Sequence, residues 1–296
     1  MSTPTARSTV MSLPSIPPQK RMTGMFGHPV AENPIDRMFD AVYAHYGLNW
    51  QFWKCDIGSV EDLPAAIRGA KALGFSGFCI TVPYKIASLS SLDAMDDDVR
   101  VIGAANYVTF EDGRIVGHNN DGKGVVKAIQ KVTPIAGKRA AILGAGGAGR
   151  AMAVEIARAG AAHFTVITRR ESQGSEVADL VHRATGIPTE WLGWKGAIAL
   201  PAGTQIVLNA THLGAAPQLE PVPVDWNSIA SDTTVVDVIT NPRITPFLQT
   251  ALGKGCAVVD GVEMLVQLAM QIFEAWTGIS PDEAVFQRAV AAALAE

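Results

Sequence analysis

"KRAAILGAGGAGRAMAVEIARAGAAHFTVITRR", residues 138–170, decides the fold. Ala140–Leu143 is an apolar run of strand length, Ala148–Ala159 is rich in helix formers, Gly160 stops that helix, and Phe164–Thr168 reads as a second strand. Between the first strand and the helix, Gly144, Gly146 and Gly149 form G-x-G-x-x-G. Strand, glycine turn, helix and strand make a dinucleotide-binding unit. The first glycine permits a tight turn, the second lets the backbone approach a pyrophosphate, and the third lets helix and strand pack closely. Ala145, Gly147 and Ala148 complete the loop, and the helix N-terminus offers unpaired N–H groups to the phosphates. At the end of the second strand, about 20 residues on, an acid would favour the free ribose of NAD. Thr168, Arg169 and Arg170 stand there instead, and two guanidinium groups suit the 2′-phosphate of NADP. Glu171 keeps NAD open, and a solvated strand end is the plainer reading of the arginines.

Outward from this unit, the chain alternates strands and helices, which predicts an α/β protein with two open-sheet domains. On the N-terminal side, Asn33 reads as an N-cap with Pro34 at the first helical position. Ile35, Met38, Phe39, Val42, Tyr43 and Tyr46 then make one apolar face, closed by Gly47. A strand at 50–56, a helix at 60–73 and a strand at 76–82 imply parallel pairing. Glu111-Asp112-Gly113 marks a hairpin, and 117–124 opens a helix to about Gln130. Short strands are expected at 205–209, 234–239 and 256–259. Met264, Leu265, Leu268, Ile272 and Trp276 form a helical face ending at Gly278. Ser280-Pro281-Asp282-Glu283 then reads as a capping box for a last helix. Residues 1–20 read as a disordered tail, and the final helices are expected to return to the first domain.

Composition narrows the function classes. At 48% hydrophobic residues, 18% charged and a net charge of −4, there is no basic field for nucleic acid and no apolar run long enough for a membrane span. Cys55, Cys79 and Cys256 have neither disulfide nor thiolate-metal spacing, and the six histidines show no ligand pattern, so no metal is expected. A reducing cytoplasm fits this cysteine usage. A small-molecule substrate and a monomer or homodimer are the expected partners.

"ITVPYK" (80–85) ends an apolar strand with Lys85 just beyond it, where ligands bind in open α/β sheets, although most lysines are simply solvated. Together with "GHPVAENP" (27–34), "IGAAN" (102–106), "GHNNDGKG" (117–124), "LGAGGAG" (143–149), "LNAT" (208–211), "NPRITPFL" (241–248) and "DGVEMLV" (260–266), it resembles the shikimate dehydrogenase family from about residue 22 to the end. The resemblance implies a substrate domain of 21–121 plus 261–296 and a Rossmann domain of 122–260, with catalysis in the cleft between them. It implies Lys85 and Asp121 as the catalytic pair and Asn106 and Thr81 as substrate contacts. It also extends the cofactor site to Asn209, Thr211 and Gly261. A Lys/Asp pair can hold an alcohol oxygen and pass its proton, with Lys85 as base or as charged donor. A helix N-cap is the plainer role for Asp121.

The departures from the family pattern cluster on the substrate. A Ser-x-Ser that would hold a carboxylate is shortened to Glu32-Asn33-Pro34, a tyrosine is replaced by Thr240, and the threonine after Asn106 has become Tyr107. A glutamine position falls on Leu268, with Gln267 and Gln271 close by. Asn33, Gln267 and Gln271 are therefore the candidate replacements. Losing two hydroxyl donors would cost about 1.5–3 kcal/mol each. The expectation is an NADP-dependent alcohol dehydrogenase of the shikimate type whose altered pocket takes a relative of shikimate, such as quinate or another cyclic polyol. The alternatives are an NAD-dependent quinate or polyol dehydrogenase and a non-catalytic NADP(H)-binding sensor.

Overall fold

The computed structural model describes residues 19–295, so the tail expected at 1–20 falls almost wholly outside the described residues. The first sheet is built from β1 (Arg21–Gly27), β2 (Trp50–Asp56), β3 (Phe75–Ile80), β4 (Ala94–Met95), β5 (Tyr107–Glu111) and β6 (Arg114–His118), in the spatial order β2-β1-β3-β5-β6-β4. β1 pairs in parallel with β2 and β3, as the intervening helices α1 (Ile35–His45) and α2 (Leu63–Ala72) require. β5 and β6 are the predicted hairpin. They run antiparallel to each other and β5 runs antiparallel to β3, so the sheet is mixed rather than all parallel. Asp112 and Gly113 both have positive φ, 50° and 73°, the turn that suits a two-residue hairpin.

The second sheet is parallel throughout: β12-β11-β10-β7-β8-β9, with β7 (Arg139–Leu143), β8 (His163–Thr168), β9 (Thr189–Gly193), β10 (Ile206–Asn209), β11 (Thr234–Asp237) and β12 (Ala257–Val259). From β7 the chain winds first toward β8 and later toward β10. The strand order therefore reverses between β7 and β10, and a crevice opens beyond their carboxyl ends. α3 (Asp97–Ile102) and α4 (Asp121–Gln130) lie on the path between the sheets, and α5 (Gly147–Arg158), α6 (Glu171–Thr185) and α7 (Pro246–Gly253) follow strands of the second.

The last two helices, α8 (Gly261–Thr277) and α9 (Glu283–Ala295), pack on α1 and α4. Phe39 of α1 stacks on Phe52 at 4.9 Å and meets Phe286 edge-on at 6.3 Å and Trp276 at 5.6 Å. The Trp276 indole lies on Gly77 of β3, where an added Cβ would come within 2.1 Å of its Nε1, and that nitrogen donates to the Val108 carbonyl at 3.0 Å. The polar end of the ring is thus satisfied while its body is buried. The start of α9 differs from the capping-box reading. Asp282, not Ser280, supplies the cap, accepting from Ala284 N at 2.9 Å, because the helix begins two residues later. At α1 the Asn33 side chain accepts from Ile35 N at 3.0 Å, an Asx turn just ahead of Pro34.

Candidate active site

Lys85 leaves the sheet in the segment after β3, and its carbonyl is pinned by Ala105 N at 2.9 Å. Asp121 begins α4, 36 residues later, yet the Lys85 ammonium donates directly to Asp121 Oδ2, both side chains being buried. Asp121 does not cap the helix. Its other oxygen accepts from Asn106 Nδ2 at 3.0 Å. Two consecutive asparagines hold it there. Asn119 Nδ2 donates to Ala104 O at 2.8 Å, Asn119 Oδ1 accepts from Asp121 N at 3.2 Å, and Asn120 Nδ2 donates to Leu268 O at 2.9 Å. Buried polar groups with every bond made define one geometry, which is what a reacting pair requires.

These residues line a small cavity of about 90 Å³ with Asn33, Thr81, Cys79, Met25, Ile35, Ile80, Leu265, Leu268 and Ile272. Asn106 is placed as expected, but both hydrogens of its amide are committed, to Asp121 and to Asn120 Oδ1 at 2.8 Å. Its Oδ1 already accepts from Asn120 N at 3.0 Å, which leaves one lone pair. Gln267 and Gln271 do not line the cavity. Gln267 donates to Glu263 Oε1 at 3.1 Å and Gln271 back to the Gln267 carbonyl at 2.8 Å. Successive helical residues are 100° apart, so the face of α8 turned to the cavity carries Leu265, Leu268 and Ile272. Burial pushes the Cys79 thiol well above its usual range, which keeps it protonated and apolar in the cavity wall.

A second, larger hollow of about 550 Å³ opens at the reversal point, lined by Gly144, Ala145, Gly146, Thr168, Arg169, Arg170, Gln173, Trp194, Ala210, Thr211, His212 and Leu213. Each glycine has a separate physical reason. Gly144 has φ +101°, and a Cβ there would meet Ala210 O at 3.0 Å. Nothing lies within 4 Å of a Cβ built on Gly146, so backbone is presented to open space. A Cβ on Gly149 would meet Gly144 O at 2.5 Å, which is the close helix–strand packing expected of the third glycine. An open glycine at the N-terminus of α5, with two guanidinium groups across the hollow, fits a phosphorylated dinucleotide. Trp194 was not foreseen. It follows β9, and the Arg169 guanidinium sits 6.0 Å from its ring centroid.

Five of the expected cofactor residues do not line this hollow, Gly149 among them, since it packs against Gly144 as just described. Asn209 is buried behind it, donating to Leu213 O at 3.0 Å and to Asp237 Oδ1 at 3.2 Å while accepting from Thr211 Oγ1 at 2.7 Å, so it shapes the 209–213 loop. Gly261 packs on the segment beyond β11, where a Cβ would come within 2.3 Å of Ile239 O, and Ala148, half-buried, packs against the core. Gly147 faces the catalytic side. A Cβ there would lie 2.8 Å from Lys85 Cβ, so the loop residue makes room for the lysine. The two sites therefore touch at Gly147 and Lys85. Asp237, also unforeseen, accepts from Thr245 Oγ1 at 2.7 Å and Ile239 N at 3.1 Å, and burial pushes its carboxyl up to about 6. Among the described residues no group of three or more potential metal ligands occurs, and no helix is long and apolar enough to cross a membrane.

Known proteins share this architecture. The family model described as the shikimate dehydrogenase substrate binding domain matches residues 25–108. A shikimate dehydrogenase (NADP(+)) of Moorella thermoacetica is 37% identical, over 92% of this chain and 93% of its own. Among solved structures, the ligand-free 5-ketofructose reductase of Gluconobacter sp. strain CHM43 is 41% identical with a TM-score of 0.84, covering 93% of this chain and 99% of that one. Quinate dehydrogenase from Corynebacterium glutamicum, in complex with NAD, is 28% identical with a TM-score of 0.84, covering 92% and 99%. With such identity across more than nine-tenths of its length, the chain belongs to the shikimate dehydrogenase family.

Proposed function

We propose that the protein is an NADP(H)-dependent oxidoreductase that interconverts a secondary alcohol and its ketone on a small polyhydroxylated molecule. Residues 21–121 with 261–296 form the substrate lobe and 122–260 the cofactor lobe. The observation that carries this reading is the buried Lys85–Asp121–Asn106 cluster placed against Gly147 of the dinucleotide loop. The residues that would hold the cofactor are Gly144, Ala145, Gly146, Thr211, Arg169 and Arg170, all lining one hollow. NADP(H), when bound, supplies or accepts the hydride. Arg169 and Arg170, both lining the hollow, would suit a 2′-phosphate and so favour NADP over NAD.

Lys85 holds the reacting oxygen through its ammonium, which Asp121 Oδ2 keeps oriented. As a ketone oxygen gains negative charge, a proton passes to it from Lys85 Nζ, and in oxidation the hydroxyl proton returns there. Asn106 is a positioning residue that fixes Asp121 through Oδ1. Asn33 and Thr81 offer neutral polar groups to further hydroxyls. The relatives' names span two shikimate-type acids and a keto-sugar, all sharing the alcohol/ketone pair.

The test is spectrophotometric: NADPH oxidation against a panel of polyhydroxy ketones by the purified protein, compared with NADH. Faster turnover per unit concentration with NADPH is expected. A higher kcat/KM with NADH would return the NAD-dependent alternative. Cofactor binding without any turnover would return the sensor.

A further inference from the structure

Within that proposed activity, we infer that the substrate is uncharged: a polyhydroxy ketone or alcohol of the keto-sugar class, without the carboxylate that shikimate and quinate carry. The electrostatics of the cavity carry this. Its charged groups are Lys85 and Asp121, paired with each other, so the lining has no net charge to offer a buried anion. The Lys85 ammonium stands at the reacting oxygen and is unavailable at the far end. The next cation, Lys54, is turned away. It donates to the carbonyls of Ala31 at 2.8 Å and Asn33 at 3.1 Å and pairs with Asp36 at 3.3 Å. Arg37 lies in a neighbouring hollow together with Glu32, so the rim adds no net positive charge. The wall itself is Leu265, Leu268, Ile272, Ile35 and Met25.

A carboxylate there would lose water and find only Asn33 and Thr81, without the paired hydroxyl donors that the family pattern places on it, whereas single hydroxyl groups can be satisfied by just such partners. An apolar wall also suits the ring or chain carbons of a sugar. The reaction balances without any further reactant: ketone, NADPH and a proton give alcohol and NADP⁺, the hydride going to carbon and the proton from Lys85 Nζ to oxygen.

The test compares one scaffold in two charge states. Initial rates with NADP⁺ are measured for shikimate and for its methyl ester and carboxamide. Rates with NADPH are measured for a panel of neutral diketo- and ketohexoses beside 3-dehydroshikimate and 3-dehydroquinate. The best neutral compound is expected to exceed the best carboxylate by about a hundredfold in kcat/KM, the equivalent of one or two lost charge-assisted hydrogen bonds. A carboxylate as best substrate would overturn the inference while leaving the proposed activity intact. Absence of turnover across the whole panel would overturn both. As a second arm, Leu268→Gln adds a donor to the wall. It is expected to raise the carboxylate-to-neutral ratio of kcat/KM about tenfold with unchanged NADPH affinity, and a ratio that does not move counts against the inference.

Discussion

The dinucleotide hollow and the substrate cavity are built on opposite principles. The first is mainly a backbone site: Gly144, Gly146 and Gly149 lie within six consecutive residues, and each acts through the side chain it lacks. The second is a side-chain site, assembled from residues 33, 81, 85, 106, 121 and 268, which only the folded chain brings together. Backbone sites depend on local conformation. Side-chain sites can be rebuilt one wall at a time, and here the Lys85–Asp121 pair stands at one end while the far wall is apolar.

The comparison breaks most clearly at its catalytic end. Lys85→Met is expected to lower kcat by about a thousandfold with NADP(H) affinity unchanged, since proton-transfer groups contribute about 10²–10⁴. Asp121→Asn should fall nearly as far, and the double variant scarcely further, because the pair acts as a unit. Single-turnover rates with a saturating cofactor measure both. On the other side, replacing Arg169 and Arg170 together by Ala is expected to raise KM for NADPH about ten- to hundredfold and leave that for NADH within a few-fold. Equal losses for both cofactors would mean the arginines do not read the 2′-phosphate.

Gly147→Ala tests the seam between the two sites. A new Cβ 2.8 Å from Lys85 Cβ must displace the lysine, so kcat is expected to drop about tenfold while cofactor Kd stays nearly constant. A loss in Kd alone would return Gly147 to the cofactor cradle. The smallest effect concerns stability. Asp237 is pushed by burial to about 6, above the unfolded value of about 3.9. Because the folded state holds this proton more tightly, its contribution is fully present below about pH 3.9 and is lost as pH rises through about 6. Urea melts of the wild type relative to Asp237→Asn should therefore show the wild type losing on the order of 2 kcal/mol between pH 4 and pH 7.

The same contrast explains what the chain disclosed in advance. The strand–glycine–helix–strand unit, Arg169 and Arg170 at the strand end, and the hairpin at Asp112-Gly113 were legible because each is a local conformational demand. The meeting of Lys85 and Asp121 was legible only through family likeness, since no periodicity relates residues so far apart. Gln267 and Gln271 were misassigned because helix phase decides which neighbour faces a cavity, and one position is worth 100°. Asn209 and Gly147 fall in the expected neighbourhood but outside the lining of the hollow. Trp194 left no trace because it follows a strand with no clear alternation.

Helix α8 has a mechanical consequence. One end is seated on the carbonyls beyond β11 through Gly261 and the other on β3 through Trp276, about 22 Å away. Leu268 sits between these footings. A stiff spar braced on both sheets ties the bore of the cavity to the angle between them.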